Sequence, residues 1–123
     1  MNLVDSSGWL EFFTDGPLAK KYLSYLEKPE EVVVPALVLY EVYKKIKNER
    51  REEDAILAAA QLGRSRIVVL DDTLAIQAAD VSIKYKLSMA DAIIYACALQ
   101  EKARLVTSDE HFSDLPNVIL LKK

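Results

Sequence analysis

Ser88-Met89-Ala90-Asp91-Ala92-Ile93-Ile94-Tyr95-Ala96-Cys97-Ala98-Leu99 is almost wholly apolar, alanine-rich and too long for one ordinary strand. It reads as a buried helix with Ser88 as its N-cap and one charge, Asp91, in the first turn. That charge has two readings. In one, Asp91 completes a capping box by reaching back to the Ser88 amide. In the other, it is a carboxylate held at the rim of a core to bind a cation. The choice turns on whether other acids lie where they can meet it.

Working outward, strands and helices alternate along the chain. Asn2–Asp5 reads as an opening strand, and Ser6 or Ser7 as the cap of a short helix with Trp9, Leu10, Phe12 and Phe13. Asp15-Gly16-Pro17 breaks the chain, with Pro17 opening a helix over Leu18–Leu26 at its first position. The β-branched run Val32–Val34 fits a strand buried on both faces, and a helix follows from Ala36 to Ile46. A second helix, Glu52–Leu62, ends at Gly63 as its C′ residue. Ile67–Leu70 is the third strand, and Asp71, Asp72 and Thr73 are cap candidates for a helix over Leu74–Tyr85. In that helix Leu74, Ala75, Ala78, Ala79, Val81 and Ile83 are apolar. The alanine-rich helix then runs to about Lys102, before a strand at Arg104–Thr107, a polar loop Ser108–His111 and a last strand Val118–Leu121. Such alternation predicts one α/β domain over residues 1–123, a three-layer α/β/α sandwich with a central, mainly parallel sheet.

Composition narrows the function. At 123 residues, 51% hydrophobic and 28% charged, the chain is globular and large enough for one core. Its apolar runs fall short of the ~18–20 residues of a membrane span, and no signal peptide is evident, so a cytoplasmic protein is expected. The single cysteine, Cys97, reads as a core residue, and the single histidine, His111, argues against a structural zinc site. A net charge of −3 argues against bulk electrostatic binding of nucleic acid, while leaving room for a local basic patch.

Four acids can converge. In an open α/β sheet, sites form beyond the carboxyl ends of the strands. Asp5 ends the first strand, Asp109 follows the fourth, Asp91 starts the helix before it, and Glu41 lies inside the helix after the second. Asp5 and Asp109 each read equally as local caps. A carboxylate on an apolar helix face, as Glu41 reads, needs a partner or a metal; Lys45, four residues on, is its nearest ordinary partner, or else Glu41 lies on a solvated stripe with Lys44, Lys45 and Lys47. A cluster of the four suits a hard, oxygen-ligated cation, Mg²⁺ or Mn²⁺, and phosphodiester hydrolysis. The run Lys44–Arg51, with Lys44 and Lys45 foremost, then lies where it can hold a phosphate backbone, or else is a solvated face beside Glu49, Glu52 and Glu53.

Val4-Asp5-Ser6-Ser7, Glu41, Ala90-Asp91-Ala92-Ile93-Ile94 and Thr107-Ser108-Asp109-Glu110-His111-Phe112, in that order, resemble the PIN-domain ribonucleases, specifically VapC-type toxins of toxin–antitoxin modules. The resemblance implies a Mg²⁺- or Mn²⁺-dependent endoribonuclease with Asp5, Glu41, Asp91 and Asp109 as its acidic quartet. It implies Ser7 and Thr107 as supporting hydroxyls, an RNA substrate, a homodimer and a cognate antitoxin protein. The helix with Trp9, Phe12 and Phe13 and the tyrosine-bearing helix after it are candidate surfaces for that antitoxin, or else core. Glu110 and Asp114 are nearby acids whose part is open, as is the number of metal ions.

Two rivals compete. A phospho-receiver-like signalling domain would use Asp71-Asp72 after the third strand, but it needs a helix after the last strand, which ends here at Lys122-Lys123. A catalytically inactive PIN-like scaffold binding RNA or protein would share the fold without the turnover.

Overall fold

The computed structural model describes residues 1–123. The elements are β1 (Asn2–Val4), α1 (Ser6–Phe13), α2 (Ala19–Leu26), β2 (Val33–Pro35), α3 (Ala36–Glu49), α4 (Glu52–Leu62), β3 (Arg66–Val68), α5 (Asp72–Tyr85), α6 (Met89–Gln100), β4 (Arg104–Thr107) and β5 (Val118–Leu120). Short 3₁₀ turns lie at Pro29–Glu31 and Glu110–Phe112.

All strand pairings are parallel. β1 pairs with β4 through Leu3–Leu105, β4 with β5 through Val106–Ile119, and β2 with β3 through Val34–Ile67. A single bridge, Asn2–Val32, joins the two parts into the order β3-β2-β1-β4-β5. From β1 the chain steps outward to β2 and β3, then returns to the other side for β4 and β5. Right-handed crossovers therefore put α1–α4 on one face and α5–α6 on the other, the expected three-layer sandwich. The strand order reverses between β1 and β4, and open α/β sheets form their sites at the carboxyl ends of such strands.

The core is apolar on both sides of the sheet. Leu3, Val4, Val33, Val34, Leu105 and Val106 are fully buried, as is most of α6 from Ala92 to Ala98. Cys97 is buried within it, and burial pushes its thiol up to about 12. The Tyr95 hydroxyl donates to Pro116 O at 2.7 Å, and its ring lies 6.4 Å from that of buried Phe112. α6 is thereby tied to the segment between β4 and β5, which fixes the position of everything that segment carries.

Several local expectations shift. Asp5, not Ser6 or Ser7, caps α1. Pro17 lies in a turn, and α2 opens at Ala19. Gly63 stays right-handed, at φ −66°, while the left-handed C-cap is Lys86 at φ 57°. β3 ends at Val68 because it is an edge strand, which leaves Val69 and Leu70 exposed. α5 buries Leu74, Ala78 and Val81, one helical stripe, and turns Ala75, Ala79 and Ile83 outward. α6 ends at Gln100 and β5 at Leu120. Trp9 is core, whereas Phe12 and Phe13 are half-buried against it.

Gly8 marks a close approach. A Cβ there would overlap the Val4 side chain and the ring of buried Tyr22. Gly8→Ala is accordingly expected to lower stability in urea denaturation by about 1–3 kcal/mol, since neither neighbour has room to retreat. No change would show that α1 can lift from β1.

Candidate functional site

Asp5 and Asp109 lie at the carboxyl ends of β1 and β4, which pair with each other. Asp5, the first residue past β1, is 5% exposed, and its position as N-cap orients its carboxylate. Oδ1 accepts from Gly8 N and from Ser7 Oγ, both at 3.0 Å, and Oδ2 accepts from Thr107 Oγ1 at the end of β4. Thr107 Oγ1 in turn accepts from Asp109 N at 3.0 Å. The two strand ends are thus tied by a relay from Asp5 through Thr107 to Asp109. Ser7 and Thr107 touch the carboxylate they were expected to support.

Thr107 is fully buried, so removing its hydroxyl has a defined cost. Thr107→Val should destabilise the fold by about 1–3 kcal/mol in urea denaturation, because Asp5 and the Asp109 amide each lose a partner away from water. An unchanged midpoint would mean that water replaces the hydroxyl.

Asp109 caps the 3₁₀ turn, its Oδ1 accepting from His111 N at 2.9 Å. The turn folds the imidazole back, so that His111 Nδ1 lies 3.2 Å from Asp109 Oδ1 and 3.4 Å from Asp91 Oδ2. Ligand atoms of Asp91, Asp109 and His111 all fall within 4.8 Å of one another. On α6, Ser88 Oγ accepts from Asp91 N at 3.4 Å, which is half of a capping box. The Asp91 carboxylate faces His111 as the other half of its surroundings.

Glu41 enters from α3. It does not pair with Lys45, which instead binds Glu49 at 2.7 Å. Its Oε1 is buried with no hydrogen-bond partner. Such an atom is costly to leave bare, and it is the clearest sign that something absent from the chain itself completes the site. The electrostatics agree. Burial pushes the Glu41 carboxyl up, the Ser6 hydroxyl pulls it partly back, and the Asp5 and Asp91 charges raise it further. Burial likewise raises Asp5 against the pull of Thr107, Gly8 and Ser7, with a further push from Asp109. Asp91 is raised by burial and then by Asp109, against Ser88 and His111. The four acids therefore act on one another, and the group as a whole is short of positive charge. Hard carboxylate oxygens, a buried unpaired oxygen and mutual repulsion fit a divalent cation.

The basic run splits. Lys45 and Lys47 pair with Glu49 and Glu52, and Arg51 with Glu53, as on an ordinary solvated face. Lys44 has no acidic partner; its Nζ lies 5.4 Å above the Tyr40 ring, and with Lys45, Tyr40, Ser6 and Glu41 it lines one groove. Glu110 lines a different cleft, with Ser7, Tyr22 and Ser108. Asp71 is used to cap α5, accepting from Leu74 N at 2.9 Å, and β3 before it is at the sheet edge. The receiver-like reading therefore has no acid in the place it requires. His111 is the residue that sequence reasoning left without a role. Its only signal was its place two residues after Asp109 in a polar loop.

A family model described as PIN domain matches residues 3–118. No curated protein sequence matches the chain. Among solved structures, a toxin–antitoxin complex from Klebsiella pneumoniae is similar at 24% identity and a TM-score of 0.83, with 97% of this chain and 96% of that one covered. VapC20 of Mycobacterium tuberculosis, described as a sarcin–ricin loop cleaving toxin, is similar at 20% identity and a TM-score of 0.77, covering 96% and 97%. VapBC2 from Rickettsia felis, bound to a DNA fragment from its promoter, follows at 18% and 0.75, covering 98% and 96%. At these identities the likeness is one of fold.

Proposed function

The chain belongs to the PIN domain family, and from that premise we propose that it is a Mg²⁺- or Mn²⁺-dependent endoribonuclease, the toxin of a toxin–antitoxin pair. What supports this reading is the cluster of Asp91, Asp109 and His111, with Asp5 and Glu41 near enough to act on these acids electrostatically and Glu41 Oε1 buried and unpaired. Asp91 and Asp109 are the side chains best placed to hold a cation, with Asp5 and Glu41 completing the acidic wall. A bound divalent ion supplies an activated water and offsets charge on a phosphoryl oxygen.

The rest falls to the chain's own groups. Three donors hold Asp5 in one orientation, so no reorganisation is needed when substrate arrives. Glu41, with its raised affinity for a proton, is suited to take one from an attacking water. Lys44 and Lys45, on the groove beside Glu41, are suited to hold RNA phosphates, and the mixed signs around them favour a few local contacts over broad attraction. Ser7 and Thr107 act through Asp5 as positioning residues.

The partners follow the same reading. Structures of similar fold include toxin–antitoxin complexes, one of them on promoter DNA, which supports a cognate antitoxin protein for this chain. We take the functional unit to be a single PIN-like domain over residues 1–123, homodimeric and cytoplasmic; no helix is long and apolar enough to cross a membrane.

The test is cleavage of a structured RNA pool by purified, antitoxin-free protein, with Mn²⁺ or Mg²⁺ and with EDTA. Cutting that requires the ion is expected. A folded protein that binds RNA yet cuts nothing with either ion would instead be an inactive scaffold.

A further inference from the structure

We infer that the imidazole of His111 is a nitrogen ligand of the cation held by Asp91 and Asp109, and that it tilts this site toward Mn²⁺ over Mg²⁺. The inference rests on the metal-dependent nuclease reading and adds to it the identity of the ion. Nδ1 faces both carboxylates, 3.2 Å from Asp109 Oδ1 and 3.4 Å from Asp91 Oδ2, within a set of three ligand atoms no more than 4.8 Å apart. Neighbouring ligand atoms on an octahedral ion with bonds of about 2.1 Å lie about 3 Å apart, so these three can meet on one ion with small movements.

The placement is built in from both sides. The Asp109 carboxylate binds the His111 amide and starts the turn, while Phe112, the next residue, is buried against Tyr95 of α6. α6 also carries Asp91, so the imidazole and the two carboxylates are positioned by one packed unit. The ring itself is three-quarters exposed, and it needs no partner for burial's sake.

The chemistry gives the selectivity. Mg²⁺ favours oxygen ligands, keeps several waters and gains little from a nitrogen donor. Mn²⁺ shares the preference of Mg²⁺ for carboxylate oxygen but, as a transition-metal ion, takes an imidazole nitrogen more readily than Mg²⁺ does. A purely ion-paired His111, merely neutralising the two acids, would confer no such preference.

The experiment uses the tag-free full chain stripped with EDTA. Mn²⁺ and Mg²⁺ are titrated by calorimetry, and the Mn²⁺-loaded protein is examined by pulsed EPR for ¹⁴N coupling. His111 is the sole histidine, so any imidazole coupling has only one source. Expected are that coupling in the native sequence, its loss in His111→Ala, and a fall in Mn²⁺ affinity of at least about tenfold with a much smaller change for Mg²⁺. His111→Gln retains a hydrogen-bond donor toward the carboxylates without the imidazole, and it should lose the preference as fully as His111→Ala. Mn²⁺ bound without imidazole coupling, or an unchanged ion preference in His111→Gln, overturns the inference. The nuclease reading then still stands if RNA cutting needs the ion and Asp91. Protein that binds neither ion and cuts no RNA overturns both.

Discussion

Asp91→Asn is expected to abolish metal-dependent RNA cleavage, with a loss of about 10³-fold or more, equivalent to roughly 4 kcal/mol of transition-state stabilisation. Asp91 sits in the first turn of α6, where its carboxylate faces His111 and feels Asp109 and Glu41. The substitution removes one negative charge and leaves the backbone amide free to bond Ser88 Oγ as before. Nothing in the core depends on that carboxylate, so the thermal midpoint of metal-free Asp91→Asn should equal or exceed that of the native protein. Single-turnover cleavage with Mn²⁺ measures the first quantity and calorimetric melting in EDTA the second. Retained cutting in a folded variant would remove Asp91 from the site. Asp5→Asn should be as inactive, but it should also melt earlier, because its buried carboxylate takes three hydrogen bonds that an amide cannot all keep.

The second large effect is on the metal-free fold itself. Asp5, Glu41 and Asp91 all have raised carboxyl pKa values, burial being the first cause in each. A raised acid binds more protons folded than unfolded, so stability falls as pH rises. The contribution is fully present below the ordinary values of 3.8 for Asp and 4.5 for Glu, and it is lost as pH climbs through the raised ones. Protein in EDTA should therefore lose stability as pH rises above the ordinary carboxyl range, relative to a Glu41→Gln/Asp91→Asn double variant that lacks two of the three raised acids. Divalent ion at pH 7 should reverse the loss. At one hundred times its dissociation constant it stabilises by about 2.7 kcal/mol, or roughly 10 °C in Tm for a domain of this size. The double variant should show little of that gain. A native protein whose Tm ignores both pH and divalent ions would mean that the acids are already neutralised by groups of the chain itself.

Both effects begin from residues that are ordinary in isolation. Asp5 is an N-cap and Asp109 caps a 3₁₀ turn, as the local readings allowed, and the Thr107 hydroxyl links the two. A cap role and the proposed site role are compatible, because each carboxylate caps right at the carboxyl end of a strand, Asp5 after β1 and Asp109 after β4. For Glu41 the local reading failed. Lys45 stands at the favourable spacing and lines the same groove, yet its Nζ pairs with Glu49, one turn further on, and leaves Glu41 Oε1 without a partner.

Element type was legible because it rests on short-range chemistry. The unbroken apolar run of α6, the β-branched strands, the exact span Glu52–Leu62 and the strand Arg104–Thr107 all follow from periodicity and composition. The alternation of these elements led to the parallel sheet and the three layers, and the ordered acidic motifs pointed to the PIN family. What needed the tertiary structure was everything set by residues far apart in the chain. Asp5 and Thr107 are separated by 102 positions and share a hydrogen bond only because β1 pairs with β4. β3 ends early, and Ile83 faces outward, because sheet order and helix packing decide which apolar side chains find a cover. His111 gained its place between two carboxylates from a 3₁₀ turn and from Phe112 anchored on Tyr95, a combination with no periodic signature. Local propensities act over a few residues and are written in sequence order; the Asp5–Thr107–Asp109 relay and the cluster of Asp91, Asp109 and His111 form where the sheet brings distant strand ends together, and only the packed fold determines that.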